Sequence, residues 1–102
     1  MAIISLKFKG KTVSEFQLDK GPYTLGRDDH NDFVIDSLSV APTQLIITLK
    51  HHQYLIENIS EHFPTRINGA CLTKAPVHQG DIISLAKYEL TFFEDYAKFS
   101  NN

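Results

Sequence analysis

This chain of 102 residues has little cysteine, no excess of positive charge and no long apolar run. The one cysteine, Cys71, excludes an internal disulfide framework, and we expect it to be a small apolar residue that is buried or half-buried. The eight lysines are spread along the sequence and the formal net charge is −2, so no cationic field is expected to attract nucleic acid. The apolar runs are far shorter than the roughly 18 residues of a membrane-spanning helix, and no signal peptide is visible. We therefore expect a cytoplasmic domain with no nucleic-acid partner and no direct membrane insertion.

The residue patterns of catalytic and metal sites are also missing. None of the five histidines is spaced with Cys71 in the manner of zinc ligands. Four aspartates between positions 28 and 36 invite a calcium interpretation, but they lack the central glycine and the closing glutamate of an EF-hand loop. No Ser/His/Asp or Cys/His arrangement can be argued, and no glycine-rich phosphate loop leads from a strand into a helix. We expect no enzymatic activity, no bound metal and no cofactor.

Most of the chain shows the period-two alternation of half-buried strands, and helical periodicity is nearly absent. In the first such segment Ile4, Leu6 and Phe8 point one way, while Ser5 and the neighbouring lysines point the other way. Turn signals separate these segments about every ten residues, as in a β-sandwich. The expected turns include Gly10-Lys11, the hairpin tip His51-His52, and Asn68-Gly69, which is the preferred pair for a two-residue hairpin.

This pattern predicts one all-β domain over residues 1–102, with its core at about residues 3–93. The remaining tail, residues 94–102, could form one or two helical turns over positions 94–99, with Tyr96 and Phe99 packing back on the domain.

Several blocks of sequence occur in an order and at a spacing that point to one family. They are Leu25-Gly26-Arg27, Asn31-Asp32-Phe33-Val34-Ile35-Asp36, the gap-free stretch 58–69 and Gln79-Gly80-Asp81-Ile82-Ile83-Ser84-Leu85. In these blocks the chain resembles a forkhead-associated (FHA) domain, a β-sandwich that reads phosphothreonine. The resemblance extends from about Ile3 to Phe93, and it implies a twisted sandwich of about ten or eleven mostly antiparallel strands.

The departures from the family pattern are concentrated where the family binds phosphate. The family serine falls on Ala41 and its histidine on Gln44. The family's Ser-x-Asn-Gly loop reads Glu61-His62-Phe63-Pro64 here. From the recognition set of the family, only Gly26 and Arg27 remain. The resemblance therefore implies an FHA-like scaffold whose phosphothreonine site is degenerate.

In the implied sandwich, the loops at residues 28–32, 38–43 and 60–65 gather at one end. Arg27 is either an anion-binding fork or a solvated arginine at a strand end. We hypothesise that the Glu61 carboxylate reaches Arg27 as an internal anion, the alternative being a solvated glutamate on a loop tip. Phe63 either tucks into the edge of the core or joins Val40 and Pro42 in an apolar apex.

The leading interpretation is a non-catalytic protein–protein interaction module that does not depend on phosphate. One alternative keeps phosphopeptide binding, with Arg27, Thr43 and His62 as a rebuilt donor set. Another is a structural domain that self-associates through sheet edges or faces. We assign a protein or peptide partner to the apical residues Gly26, Arg27, Val40, Ala41, Pro42, Thr43, Glu61, His62 and Phe63, and a loop-bracing role to Gln44 and Asn68.

Overall fold

The computed structural model describes residues 2–94, which form eleven β-strands and no helix. The strands are β1 (Ala2–Phe8), β2 (Lys11–Leu18), β3 (Tyr23–Gly26), β4 (Phe33–Val34), β5 (Leu45–Lys50), β6 (Gln53–Asn58), β7 (Arg66–Ile67), β8 (Ala70–Cys71), β9 (Lys74–Pro76), β10 (Ile82–Leu85) and β11 (Tyr88–Glu94). The prediction of an all-β sandwich is thereby confirmed. Glu94 ends a strand and does not begin a tail, and the helical turns predicted beyond it lie outside the described residues.

The strands form two sheets that pack face to face. One sheet has six strands in the order β2-β1-β11-β10-β7-β8, and the other has five in the order β4-β3-β5-β6-β9. Neighbours are antiparallel except β3 and β4, which run parallel with Leu25 opposite Phe33. No helix in the described part of the chain is long and apolar enough to cross a membrane.

The core follows from the alternation in the sequence. Ile4 and Leu6 of β1 lie beside Phe92 and Leu90 of β11, and all four side chains are buried between the sheets. Aromatic rings close the other side of the sandwich, where Phe33 stacks between Phe16 and Tyr23. This interdigitation of the two inner faces is what fixes the position of the strand ends, and so of the loops between them.

Two of the predicted turns are confirmed and a third is displaced by one residue. Asn68-Gly69 and His51-His52 each connect two strands directly, and all four residues have positive φ, as the preferred hairpin turn requires. The first turn is Lys9-Gly10 and not Gly10-Lys11, because Lys11 already pairs with Phe8 across the sheet. The prediction for Cys71 is wrong, since this residue is exposed on the edge strand β8.

The end of the sandwich opposite to Arg27 is stabilised by one carboxylate, that of Asp81. It accepts hydrogen bonds from the Asn68 side chain at 2.9 Å and from the His78 backbone N–H at 2.8 Å. Burial would raise the pKa of Asp81, but these bonds and the charge of the nearby His78 ring outweigh burial, so that its pKa lies below the ordinary value. Asn68, whose side-chain oxygen accepts from the Ile82 N–H at 3.0 Å, thus braces this end and not the apical loops.

We expect Asp81→Asn to lower the free energy of unfolding by about 1–2 kcal/mol near neutral pH, because charge-assisted hydrogen bonds are lost. The pKa of Asp81 is lower in the folded chain than in the unfolded chain. Its stabilisation is therefore complete above the ordinary carboxyl pKa of about 4 and is lost as the pH falls through the folded value. Urea denaturation at several pH values should show the two proteins converging in acid. The exposed Asp29 supplies the control, and an Asp29→Asn variant that behaves like Asp81→Asn would contradict this assignment.

Candidate functional site

The three loops after β3, β4 and β6, which we call the apical loops (residues 27–32, 35–44 and 59–65), meet at one end of the sandwich. The close approach begins at Gly26, where a Cβ atom would overlap the Pro42 carbonyl oxygen. With glycine there, the Arg27 N–H donates to the Ala41 carbonyl at 2.8 Å and the Gln44 N–H donates to the Leu25 carbonyl at 2.8 Å. Gly26 is itself buried, so it permits the packing of the loops and does not offer a surface to a partner.

The Arg27 side chain turns along the neighbouring loop. Its Nε donates to the Val40 carbonyl at 3.1 Å, and its Nη1 lies 4.0 Å from the Asp28 carboxylate. The side chain is 30% exposed. Part of the guanidinium fork is therefore used within the domain, while the rest faces solvent beside a carboxylate.

A second set of contacts joins the first two apical loops through Asn31 and Thr43. The Asn31 amide donates to the Pro42 carbonyl at 2.6 Å and to the Asp28 carbonyl at 2.8 Å. The Thr43 hydroxyl donates to the Asn31 side-chain oxygen at 2.9 Å, and the His30 ring lies 3.0 Å from the same hydroxyl. Thr43 thus has both of its hydrogen-bonding roles filled by the loops themselves.

Gln44 connects these loops to the third one. Its side chain is 1% exposed. Its Oε1 accepts from the Ala41 N–H at 3.1 Å, and its Nε2 donates to the Thr65 hydroxyl at 2.8 Å. A buried amide that both donates and accepts can hold two loops that have no backbone ladder between them. Gln44 is predicted to brace the loops, and these are the contacts available to it for that role.

Besides Gly26, two more residues assigned to the partner surface are inside the protein. Val40 is fully buried and belongs to the core, and Ala41 is 3% exposed. The alternative of an apolar apex that includes Val40 is therefore wrong, because this residue anchors its loop into the space between the sheets. Pro42 is exposed and Phe63 is half-buried, so each keeps some surface for contact.

The predicted ion pair between Glu61 and Arg27 does not form. Among the described residues, Asp28 is the carboxylate that lies within 4.0 Å of the Arg27 guanidinium. Glu61 pairs with the adjacent His62 at 3.8 Å, and both side chains are nearly nine-tenths exposed. The next residue, Phe63, is half-buried, and its N–H donates to the Ser60 hydroxyl at 3.1 Å.

Leu38 is not among the predicted contact residues, yet its side chain is 84% exposed. It occupies a turn in which the Val40 N–H donates to the Ser37 carbonyl at 3.1 Å and the hydroxyls of Ser37 and Ser39 lie 2.7 Å apart. This turn buries Val40 and presents Leu38. The sequence does offer a sign of this exposure, because Leu38 is an apolar residue between two serines in a loop.

The apical loops carry more negative than positive charge. They contain one arginine and five carboxylates, those of Asp28, Asp29, Asp32, Asp36 and Glu61. Asp32 has a structural use, since its side chain accepts from the Thr24 backbone N–H at 2.8 Å. Within residues 2–94, no three histidine, cysteine or acidic side chains are grouped closely enough to hold a metal ion.

The bracing by Gln44 can be tested through stability. Gln44→Leu leaves the Ala41 N–H and the Thr65 hydroxyl unpaired in the interior, which should cost about 1–3 kcal/mol of unfolding free energy. Thr65→Val removes one of the same contacts, so a double-mutant cycle should show coupling of at least about 0.5 kcal/mol. Gln17→Leu, at an exposed position of β2, is the matched control and should stay within about 0.5 kcal/mol of the wild type. Additive effects of the two core variants in urea denaturation would contradict the bracing role.

Comparisons with known proteins agree with this architecture. The FHA domain family model matches residues 23–86, which is more than half of the chain. Among solved structures, the FHA domain of CT664 from Chlamydia trachomatis superposes with a TM-score of 0.83 at 16% identity, over 91% of this chain and 96% of that one. The FHA domain of FhaA, solved with the intracellular domain of Rv3910, gives a TM-score of 0.81 at 21% identity, over 90% of this chain and 99% of that one.

A third structure, Slr1951 from Synechocystis sp., gives a TM-score of 0.78 at 21% identity, over 90% of this chain and 93% of that one. A comparison with curated protein sequences yields no significant match. At these identities the structural likeness establishes the fold, and the family match establishes the relationship. The chain belongs to the FHA family, whose members are protein-interaction modules and generally not catalysts.

Proposed function

We propose that this domain binds a protein partner through its apical loops without requiring phosphothreonine. The observation that carries the proposal is that neither Ala41 nor Thr43, beside Arg27, has a free hydroxyl to donate to a phosphate. The position of the family hydroxyl is occupied by the buried Ala41, and the nearby Thr43 hydroxyl already donates to Asn31. A phosphate arriving at Arg27 therefore finds no hydroxyl free to donate to it from either residue.

The missing hydrogen bond is large on the scale of peptide recognition. A hydrogen bond to a charged group is worth about 1.5–3 kcal/mol, so its absence weakens binding by roughly ten- to a hundredfold. Pro42 has no backbone N–H to offer instead. What remains at Arg27 is one partly exposed guanidinium, and an isolated exposed ion pair contributes only about 0–1 kcal/mol.

The charge of the apical loops also weakens the binding of a phosphate. A phosphothreonine brings a charge of about −1.5 to −2 to a surface where carboxylates outnumber arginine. Asp28 sits next to the guanidinium, and the exposed Glu61 stands on the loop that would flank the phosphate. Like charges that approach with partial loss of water repel each other more strongly than in bulk solvent.

The same loops offer a different kind of contact. Leu38 is an exposed apolar side chain on a turn whose base is fixed by the buried Val40, so little conformational entropy is lost when a partner covers it. Pro42 is exposed nearby on the same loop. An apolar anchor ringed by polar groups is the usual composition of a protein–protein contact centre.

The alternative, phosphopeptide recognition by a rebuilt donor set, has less support from the contacts. One similar solved structure concerns phosphothreonine-dependent FHA domain interactions. Another is EmbR from Mycobacterium tuberculosis in complex with a low-affinity phosphopeptide. In this chain His62 pairs with Glu61 and Thr43 pairs with Asn31, so the proposed donors do not converge on Arg27.

Calorimetric titration with a phosphothreonine peptide library, and with the same peptides unphosphorylated, tests whether binding depends on the phosphate. We expect no more than about a twofold preference for the phosphorylated set, and no effect of Arg27→Ala on that preference. Arg66→Ala is the control for removal of an arginine outside the apical loops. Saturable, phosphate-dependent binding that disappears in Arg27→Ala but persists in Arg66→Ala would overturn the proposal.

The apical contact is tested by affinity capture from a lysate of the source cell, with and without prior phosphatase treatment. Leu38→Asp should reduce capture of the principal partner at least about tenfold, since truncating or charging an apolar anchor costs about 1.4 kcal/mol or more. Val13→Asp changes an equally apolar residue, 59% exposed on β2, and should leave capture unchanged. Loss of capture after phosphatase treatment, or equal losses in both variants, would refute an apical, phosphate-independent contact.

A further inference from the structure

The fold collects lysines that are dispersed in the sequence. Strand β1 ends at Phe8, and the Lys9-Gly10 turn leads into Lys11 of β2. On the other side of β1, strand β11 begins at Tyr88, directly after Lys87. Lys9 therefore lies on the first turn, Lys7 and Lys11 lie in the strands that flank it, and Lys87 lies on the turn before β11. Their backbones are within about two strand spacings, or roughly 10 Å, of one another along this edge of the sheet. We call this group the lysine shoulder.

The lysine shoulder belongs to the same end of the domain as the apical loops. The third apical loop enters β7 at Arg66, which is opposite Ser84 near the end of β10. Strand β10 then turns through residues 86–87 into β11, whose first residue Tyr88 is opposite Phe8. The end of the sandwich is thus divided, with carboxylates on the loops of one sheet and lysines on the turns of the other.

The lysines of the shoulder are not neutralised within the domain. Three of them, Lys9, Lys11 and Lys87, are exposed, and no lysine has a carboxylate within 4.0 Å among the described residues. Glu89 is opposite Lys7 in the sheet, but the two do not form an ion pair by this distance. Cationic side chains gathered at one edge of a domain raise the local concentration of anionic ligands.

An aromatic pair lies between the lysines. The rings of Phe8 and Tyr88 have centroids 4.8 Å apart and are half-buried, and the Lys9 ammonium lies 5.4 Å from the centroid of the Phe8 ring. Register places Lys11 on one side of this pair and Lys87 directly precedes it on the other. The lysine shoulder therefore combines cationic groups with a half-buried aromatic surface that a bound peptide can contact.

We propose that the lysine shoulder docks an acidic peptide segment of the partner, alongside the contact made by the apical loops. This inference rests on the proposed function, because it gives the partner a chemical character: acidic where it crosses the shoulder. A narrow peptide fits this division of charge better than an anionic bilayer does. A flat bilayer lying across this end would also meet the carboxylates of Asp28, Asp29 and Glu61, whereas a peptide can follow the shoulder and avoid them.

The test uses a fluorescein-labelled octaglutamate peptide, titrated by fluorescence anisotropy with the intact chain. We expect saturable binding that weakens as salt is raised, and that perturbs the backbone amide signals of residues 7–11 and 86–89 in NMR spectra. Lys11→Glu/Lys87→Glu should weaken binding about five- to tenfold or more, because two attractions become repulsions. The matched control is Lys20→Glu/Lys50→Glu, which changes the net charge equally at exposed positions of the opposite end and should keep wild-type affinity.

The outcomes separate this inference from the proposed function. Equal losses in the two charge-reversal variants, or no binding of octaglutamate by the wild type, would overturn the acidic docking surface and leave the capture experiment with Leu38→Asp unaffected. Binding to phosphatidylserine vesicles with no binding of the peptide would also overturn it, in favour of a membrane surface. Phosphate-dependent peptide binding through Arg27 would refute the proposed function without touching the result for the lysines.

Discussion

The arrangement of the apical loops depends on one buried side chain, that of Gln44. Its backbone pairs with Leu25 of β3 and with Ile59 after β6, while its amide holds Ala41 on one side and Thr65 on the other. Ala41 and Thr65 belong to different apical loops, and the Gln44 amide joins these two residues. An amide in the interior must satisfy both its donor and its acceptor, so the loops can adopt only an arrangement that brings both partners to it.

With the loops held in this way, residues close in sequence take opposite roles. Val40 fills the core and Leu38, two positions earlier, stands in solvent. Thr43 is turned to Asn31 and Pro42 is left outside. At the surface, the same loops present the apolar side chain of Leu38 and several carboxylates. The scaffold of the family and its ligand chemistry are separable, because the first depends on buried contacts and the second on a few exposed atoms.

Much of the fold was predictable because it depends on local rules. Alternation along β1, β5, β6 and β11 identified the strands, and Asn68-Gly69 identified a hairpin through its tolerance of positive φ. The site was predictable only in part. The bracing position of Gln44 could be anticipated from its place in the family pattern, but the direction of Glu61 could not. An exposed side chain on a loop tip gains little energy from any one partner, so neither its sequence position nor its charge selects the partner.

The sequence by itself determined the strand pattern and the family, since these follow from residue identity and spacing. The tertiary structure alone decided that Val40 is core, that Arg27 faces Asp28, and that lysines from both ends of the sequence come to one edge of a sheet. The physical reason is the order of the strands. Strand β11 pairs with β1, although the two are at opposite ends of the chain. Which charged side chains share a surface therefore depends on how the strands pair and not on their spacing in the sequence.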